Sequence, residues 1–197
     1  MNVSRETKER LKTYEALLKK WNPKINLVAK STIDDAWTRH IEDSIQVFNL
    51  GEVAEGLWLD MGSGGGFPGL VCAIMAHDTK PDLMFQLVDS DQRKCAFLRN
   101  TAREVGVQVK VMASRLDDLN PAAATIISAR ALAPLGALLN LAEKHRTPDT
   151  VMLFQKGRSW KDEVEEARKE WRFQHEVIPS KTDPEAVILK IKEVEHV

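Results

Sequence analysis

A glycine-rich segment contains the residue types best suited to hold a ligand. An apolar run ends at Asp60-Met61, and Pro68 precedes the next apolar stretch. Glycine takes positive φ at little cost and lets the backbone approach a ligand closely. Pro68 suits the first turn of a helix, because its missing N–H would have no intrahelical partner there. The order of strand, tight loop and helix start predicts a site for a nucleotide-like molecule around Gly62, Gly64, Gly65 and Gly66.

Two classes of cofactor use such a loop, and the spacing of the glycines favours one of them. The G-x-G-x-x-G pattern of nicotinamide dinucleotide sites is satisfied by Gly64, Gly66 and Gly69. In that frame the first glycine lies four residues after Asp60, and a proline falls inside the pattern. The pattern D-x-G-x-G-x-G, typical of S-adenosylmethionine (SAM)-dependent methyltransferases, begins at Asp60 and includes Gly62, where the strand ends. We therefore favour SAM and keep an NAD(P)-dependent oxidoreductase as the alternative.

Carboxylates follow the next two predicted strands. Asp89 ends the run Met84 to Val88, where a carboxylate can accept hydrogen bonds from both hydroxyls of a ribose. Because NAD and SAM both contain a ribose, Asp89 indicates a ribose and not a particular cofactor. Asp117 follows the third strand and could accept a hydrogen bond from an adenine amino group, with Leu116 packed on the ring. A solvated turn is the alternative for this position.

Several short motifs, taken in their order along the chain, resemble the glucose-inhibited division protein B family, the methyltransferases G of small ribosomal subunit RNA. The chain departs from the family at Met61, where valine is usual, and at Gln92-Arg93-Lys94, where a Lys-Arg pair is commoner. The part after Gly157 carries little of the family pattern. The matching residues are Trp21-Asn22, Asn26-Leu27, Arg39-His40-Ile41, Asp43-Ser44, Asp60 to Gly69, Asp89-Ser90, Arg93-Lys94, Phe97-Leu98, Ser114-Arg115, Ser128 to Ala131 and Lys156-Gly157.

The resemblance implies an activity and a set of cofactor-binding residues. The implied reaction transfers a methyl group from SAM to guanine N7 in a 16S rRNA stem-loop near the decoding site, leaving S-adenosyl-L-homocysteine. The implied partner is the RNA of the small ribosomal subunit, or the particle itself. A methyltransferase for a small molecule or protein, and an RNA-binding factor without activity, are the other interpretations. The residues carried over to the SAM site are Gly62, Phe67, Leu116, Asp117 and Arg130.

Several other methyl-transfer chemistries lack their residues here. The Asn/Asp-Pro-Pro-aromatic loop of amino-group methylation is replaced by Ser128 to Leu132, and Cys72 and Cys95 fall in helical, internal patterns unsuited to a nucleophile. No spacing of His, Cys and Asp suggests a metal site. Guanine N7 has an exposed lone pair and no proton to lose, so alignment and water exclusion suffice. We therefore assign no catalytic acid or base.

Arg130, at the tip of the fourth strand, is the polar residue with the clearest functional role. It could position the base or a phosphate, or hold the SAM carboxylate; the alternative is an ion pair with Asp117 or Asp60. His40 falls on the apolar stripe of its helix, which predicts a buried histidine hydrogen-bonded to Asp43, three residues on.

RNA binding requires cations, and a net charge of −1 leaves room only for a local basic face. Residues 93–115 are rich in arginine and lysine with few acids, and further lysines enrich the N-terminal helices. The RNA-binding candidates are Arg39, Arg93, Lys94, Arg115 and Lys156.

Two amphipathic helices, followed by alternating strands and helices, must position these residues. Apolar spacing predicts a helix from Arg5 to Trp21, ended by Asn22-Pro23, and a second from Ser31 or Thr32 to Phe48. They form an N-terminal helical cap, residues 1–50, packed on a SAM-binding methyltransferase domain, residues 51–197, as one structural unit. The segment between them, Lys24 to Lys30, is predicted as an ordered connector. The later elements are strands Leu57–Met61, Met84–Val88, Val107–Met112, Thr125–Ser128, Val151–Phe154, Phe173–Ile178 and Ala186–Ile191, with helices Pro68–Met75, Gln92–Val105, Leu135–Lys144 and Ser159–Trp171.

This alternation predicts an α/β fold of the Rossmann-like class I SAM-dependent methyltransferase type. The expected sheet has seven strands and is mostly parallel, with helices on both faces. The last two strands follow one another directly, which predicts an antiparallel hairpin with its turn near Asp183.

The composition is that of a soluble globular protein, with 43% hydrophobic and 29% charged residues in 197. The longest apolar run, near Leu70 to Ala76, is far shorter than the roughly 20 residues that cross a bilayer, so no membrane is expected. The charged N-terminus lacks an apolar signal core, and the two cysteines fit a reducing compartment. We therefore expect a cytoplasmic protein.

Overall fold

A computed structural model describes residues 3–197 and shows one mixed sheet of seven strands. The strands are β1 (Gly56–Met61), β2 (Leu83–Asp89), β3 (Lys110–Ala113), β4 (Ala124–Arg130), β5 (Arg146–Lys156), β6 (Trp171–Pro179) and β7 (Val187–His196). They lie in the order β3-β2-β1-β4-β5-β7-β6. The strands β1 to β5 are parallel to one another, whereas β7 is antiparallel to both β5 and β6.

Helices cover both faces of this sheet. They are α1 (Arg5–Ile25), α2 (Asp43–Leu50), α3 (Gly69–Ala76), α4 (Gln92–Glu104), α5 (Leu135–Glu143) and α6 (Trp160–Ala167). Alternate residues of β1 point to opposite faces, as a strand requires. Trp58 belongs to the core shared with α1 to α4, and Leu59 to the core shared with α5 and α6. The predicted fold class is therefore confirmed.

The first helix does not end at Asn22-Pro23, as the sequence predicted, but continues to Ile25. Its last turn is held from outside, because the buried Asn22 side chain accepts a hydrogen bond from the Val28 N–H at 2.9 Å. Asn26 ends the helix in the left-handed conformation, with φ of 56°. The proline is thus tolerated in a final turn that a side chain stabilises.

The second helix begins later than predicted. Neither Ser31 nor Thr32 caps it; the helical segment starts with a π-helical turn, Trp37–Glu42, which leads into α2. The Thr32 hydroxyl instead donates to the Ala29 carbonyl at 3.0 Å, which closes a turn. Residues between Ile25 and Trp37 therefore form a loop that lies over the carboxyl end of the sheet, where they line a cavity.

Other boundaries were also wrong. The strand β5 begins at Arg146 and not at Val151, and β7 ends at His196 and not at Ile191. The last helix ends at Ala167 and not at Trp171, because Trp171 begins β6 and buries its side chain in the core, 1% exposed. The third strand is Lys110–Ala113 and not Val107–Met112. Pro68 lies immediately before α3, and its carbonyl accepts the first-turn hydrogen bond from the Cys72 N–H at 3.0 Å.

Candidate active site

A cavity of about 870 Å³ opens at the carboxyl ends of the parallel strands. In an open α/β sheet this edge, where the strand order reverses, is the usual place for a ligand. The cavity lies at the end of β1, where the strand order reverses: β2 and β3 lie on one side of β1, and β4 and β5 lie on the other. It brings together every residue predicted for the cofactor: Gly62, Gly64, Phe67, Asp89, Leu116, Asp117 and Arg130.

The glycine loop forms one wall of this cavity. Gly62 and Gly66 have φ of 66° and 107°, which side chains rarely adopt. A Cβ on Gly62 would also lie 2.6 Å from Leu132 Cδ1, and one on Gly66 would lie 2.7 Å from the Tyr14 hydroxyl. The loop can therefore keep its path only with glycine at these positions.

Asp89 joins the tip of β2 to the glycine loop. Its Oδ2 accepts from the Gly64 N–H and its Oδ1 from the Asp91 N–H, each at 2.8 Å. A carboxylate oxygen has two acceptor sites, so each oxygen keeps one for a ligand. The half-buried carboxylate is thus fixed in orientation by the backbone and can still accept two hydrogen bonds from the cavity side.

Asp60 lies beneath the loop and does not line the cavity. It is fully buried, and its Oδ1 accepts from the Ser128 hydroxyl at 2.6 Å. Trp58 Nε1 donates to the same hydroxyl at 2.8 Å. Burial raises the pKa of Asp60 to about 6, while the hydrogen bond from Ser128 opposes this shift. Asp60 therefore supports the loop from the sheet and is no direct ligand group.

Phe67 is held between aromatic and cationic groups at the cavity wall. Its ring centroid lies 5.3 Å from that of Tyr14 and 5.1 Å from that of His40. The Arg130 guanidinium carbon lies 4.9 Å from the same ring, in cation–π contact. The buried Tyr14 hydroxyl donates to the Gly65 carbonyl at 2.6 Å, so α1 is tied directly to the glycine loop.

Arg130 is paired with a histidine and not with a carboxylate. Its Nη1 lies 2.8 Å from His40 Nδ1, and no ion pair of Arg130 is present within residues 3–197. The alternative of an ion pair with Asp60 or Asp117 was therefore wrong. An arginine can only donate, so Nδ1 accepts, and the His40 proton resides on Nε2 and is donated to the Thr32 hydroxyl, 2.9 Å away.

His40 is buried, as predicted, but its partner is not Asp43. Burial, Arg130 and Arg39 together lower the pKa of His40 to about 3, which keeps the ring neutral. Asp43 turns away, because its carboxylate accepts from Gln155 and from the hydroxyls of Ser180 and Thr182.

Two of the RNA-binding candidates line the cavity mouth, and two others are engaged elsewhere. Lys94 and Arg115 line the cavity, and Arg93 is exposed nearby at the start of α4. Arg39 forms an ion pair with Asp183 at 2.9 Å, on the loop between β6 and β7. Lys156 departs from the expectation: its side chain is 7% exposed and its Nζ lies 2.5 Å from a Glu163 oxygen, so we remove it from the RNA surface.

Sequence reasoning missed the contribution of the loop after α1. The segment was predicted only as an ordered connector, yet its residues close the cavity opposite the glycine loop. A Cβ on Gly65 would lie 3.1 Å from the Leu27 carbonyl oxygen, so the loop after α1 packs directly against the glycine loop. The family motif Asn26-Leu27 was the available signal. The missed lining residues are Asn26, Leu27, Val28, Ala29, Thr32, Ser90, Ser114, Ala131 and Leu132.

Within residues 3–197, no group of three or more His, Cys, Asp or Glu side chains is arranged to hold a metal ion. Cys72 and Cys95 are buried free thiols. No helix in the described part of the chain has the length and apolar character needed to cross a membrane.

Comparison with known proteins identifies relatives over the whole chain. The family model GidB, described as rRNA small subunit methyltransferase G, matches residues 7–188. Two proteins called ribosomal RNA small subunit methyltransferase G are similar over all 197 residues. The protein from Ruegeria pomeroyi is 52% identical, with 96% of its length covered, and that from Paracoccus denitrificans is 49% identical, with 100% covered.

Solved structures share the fold at low sequence identity. A SAM-dependent methyltransferase from Aquifex aeolicus superposes with a TM-score of 0.61 at 14% identity, covering 83% of this chain and 97% of that one. A ribosomal protein L11 methylase from Lactobacillus delbrueckii gives a TM-score of 0.62 at 16% identity, covering 77% of each chain. These likenesses establish the architecture.

Proposed function

The chain belongs to the rRNA small subunit methyltransferase G family, and on that premise we propose that it transfers a methyl group from SAM to guanine N7 in a 16S rRNA stem-loop near the decoding site. The observation that carries this proposal is the single cavity that unites the D-x-G-x-G-x-G loop, Asp89, Leu116-Asp117 and Arg130. The substrate and the position of the methyl group are inferred from the family, and the use of SAM is inferred from the residues of the cavity.

The residues of the cavity fit SAM. Asp89 keeps one free acceptor site on each oxygen, which matches two ribose hydroxyls. Leu116 and Asp117 lie in a 3₁₀ turn, Leu116–Asp118, shortly after β3, where an adenine ring can pack and donate its amino hydrogens. Gly62 and Gly64 leave room for the methionine moiety, and Arg130 offers a cation for its carboxylate or for a substrate phosphate.

The residues present suit a reaction that needs no proton transfer before attack. When bound, SAM supplies an activated methyl group on a sulfonium. The chain contributes alignment of that methyl with the N7 lone pair and exclusion of water. Both ring nitrogens of His40 are engaged, Nδ1 by Arg130 and Nε2 by Thr32, and its pKa is lowered to about 3, so this histidine is a poor proton acceptor. No side chain is assigned as a catalytic acid or base.

A nicotinamide-dependent oxidoreductase is the second candidate, favoured only by the literal G-x-G-x-x-G of Gly64, Gly66 and Gly69. In the structure Gly69 begins α3 and packs against Asp60 and Leu87, away from the cavity. A third glycine in that place serves helix packing in either fold. Gly62, which belongs only to the frame that starts at Asp60, lines the cavity, and this supports SAM.

We further propose that the protein acts in the cytoplasm, where small ribosomal subunits are made, and that residues 1–50 act as a cap on the methyltransferase domain of residues 51–197. The cap supports the site, because Tyr14 and His40 reach the glycine loop and Arg130. RNA would contact Lys94, Arg115 and the exposed Arg93 around the cavity mouth, whereas Arg39 is engaged by Asp183.

Two measurements test this function. Calorimetry with SAM, NADH and NADPH should show binding of SAM alone, and NAD(P)H binding without SAM binding would overturn the proposal. Incubation with labelled SAM and small ribosomal subunits lacking the modification should place the label in RNA. Label in ribosomal protein would favour a protein methyltransferase, and SAM binding without transfer would favour a non-catalytic RNA-binding factor.

A further inference from the structure

A second groove, of about 890 Å³, lies at the opposite end of the sheet from the cofactor cavity. It is formed by the last turn of α3, the C-terminal half of α4 and the starts of β2 and β3. We call it the distal groove. Its cationic lining residues are Lys80, Arg99, Arg103 and Lys110, with His77 at its edge.

The charge on the distal groove is largely uncompensated. No carboxylate lines it, and Arg99, Arg103 and Lys110 form no ion pair with the described residues. Neighbouring acids lie outside it: Asp78 pairs with Arg10 at 2.7 Å, and Asp82 and Glu104 are exposed. On a protein of net charge −1, this concentration of free cations is a local feature.

The cations differ in how free they are. Lys80 donates to the Gly51 carbonyl at 2.6 Å and lies over the Phe48 ring, so its position is fixed by the fold. Arg99 donates to the Val111 carbonyl at 2.9 Å through one nitrogen and retains other donors. Arg103 and Lys110 are exposed, and only the neighbouring Asn100 contacts Arg103 among the described side chains.

The floor of the distal groove is apolar. Ala102 and Val107 are buried beneath it, and Met84 presents a side chain that is 63% exposed. A floor of this kind beside arginines suits a chain that combines phosphates with flat apolar surfaces, as single-stranded and looped RNA does.

One helix connects the distal groove to the cofactor cavity. Lys94, in the first turn of α4, lines the cavity, and Arg103, in the last turn, lines the groove. Nine residues of helix separate them, about 14 Å at 1.5 Å per residue. Arg99 and Arg103 are spaced i, i+4 and therefore share one face of α4. Cations thus continue from the cavity mouth to the far end of the sheet.

We propose that the distal groove binds the phosphate backbone of small-subunit rRNA, about 14 Å along α4 from the mouth of the cofactor cavity. This inference rests on the proposed rRNA substrate and adds a second contact, carried by α4, that anchors RNA outside the target stem-loop. The four cations match an anionic polymer, and an acidic segment of a ribosomal protein is the rival occupant that the experiment distinguishes.

The test uses the variant Arg103→Ala/Lys110→Ala, with Arg172→Ala/Lys192→Ala as the matched control. The control removes the same charge from exposed positions on β6 and β7, at the far edge of the sheet. Binding to small ribosomal subunits and to protein-free small-subunit RNA is measured at several salt concentrations, and SAM affinity is measured by calorimetry. Each phosphate contact contributes about 0.7–0.9 to the slope of log K against log salt.

The expected result is a slope that is shallower by about 1.4–1.8 in the Arg103/Lys110 variant, with weaker subunit binding, unchanged SAM affinity and an unchanged slope in the control. An unchanged slope and affinity would overturn the inference. So would weaker binding of the variant to subunits with unchanged binding to protein-free small-subunit RNA, which would indicate an acidic segment of a ribosomal protein as the occupant. Failure of the wild-type protein to bind or methylate subunits would instead refute the proposed function itself.

Discussion

Replacement of His40 is expected to loosen the cavity through Arg130. The imidazole accepts from Arg130 at Nδ1 and donates to Thr32 from Nε2, and the Thr32 hydroxyl donates a hydrogen bond to the Ala29 carbonyl. His40→Ala removes both ends of this chain. His40→Asn keeps an acceptor close to the position of Nδ1, because the asparagine Oδ1 lies at the same distance along the side chain, and so serves as the conservative variant.

The magnitude follows from the contacts that are lost. A hydrogen bond to a charged group contributes about 1.5–3 kcal/mol, and its loss leaves Arg130 Nη1 with only the long contact of 3.5 Å to the Arg39 carbonyl. We expect His40→Ala to lower the free energy of unfolding by at least about 1.5–3 kcal/mol and His40→Asn to recover more than half of it. In a protein of this length each kcal/mol lowers Tm by about 2–4 °C.

Denaturant unfolding and calorimetric titration with SAM measure the two consequences. His40→Ala should bind SAM more weakly because Arg130 is no longer held over Phe67, whereas His40→Asn should stay close to the wild-type value. Equal SAM affinity in His40→Ala and wild type would refute the role given to the histidine. Equal damage in the Ala and Asn variants would show that ring packing, and not the acceptor, matters.

The pH dependence gives an independent sign. The pKa of His40 is about 3 in the folded protein, whereas a solvated histidine of the unfolded chain has its ordinary pKa of 6.5, so the unfolded chain binds more protons between these values. Stability linked to His40 is therefore complete above about pH 7 and is lost as the pH falls toward 3. The stability difference between wild type and His40→Asn should shrink from about pH 7 to about pH 5, and a growing difference would contradict this reasoning.

Three further perturbations follow from the site. Ser128→Ala leaves the buried Trp58 Nε1 and Asp60 Oδ1 without their shared partner and should lower the free energy of unfolding in urea by about 2–5 kcal/mol. Because burial already holds the pKa of Asp60 at about 6, the loss should be larger at about pH 7 than at about pH 5, and equal losses would refute this. Gly62→Ala, at φ of 66°, should lower the free energy of unfolding by about 1–2 kcal/mol and weaken SAM binding in calorimetry. The control Gly136→Ala lies in a helix, where an added Cβ has its nearest contact at 3.9 Å, and should be neutral or stabilising. Identical behaviour of the two variants would argue against the strained loop. Asp89→Ala should raise the Kd for SAM at least about tenfold while the exposed Asp82→Ala leaves it unchanged, and an unaltered Kd would remove Asp89 from the ribose site.

The sequence sufficed for those parts of the fold that local patterns determine. Short apolar runs predicted every strand, because the strands of a parallel sheet are buried on both faces and are therefore almost continuously apolar. The boundaries that were wrong depend on contacts made elsewhere in the chain. Pro23 stays within α1 because Asn22 binds Val28, and Trp171 joins a strand because the core beneath α6 accepts its side chain.

The candidate site divides in the same way. Asp60, Gly62 and Asp89 are recognisable by their position after a strand, so the cavity was predicted from residue type and spacing. The pairing of His40 with Arg130 could not be, because it joins residues ninety positions apart through the packing of the cap on the sheet. Packing of α6 likewise buries Lys156, which forms an ion pair with Glu163 on that helix and is therefore not available to RNA.

The position of the transferred methyl group tests the proposed function most directly. Small ribosomal subunits lacking the modification are incubated with the protein and labelled SAM, and the RNA is cleaved chemically at N7-methylguanine. The expected result is one new cleavage in the small-subunit RNA, in a stem-loop near the decoding site, at the nucleotide that carries the label. Label at any atom other than guanine N7, or no label in RNA, would contradict it.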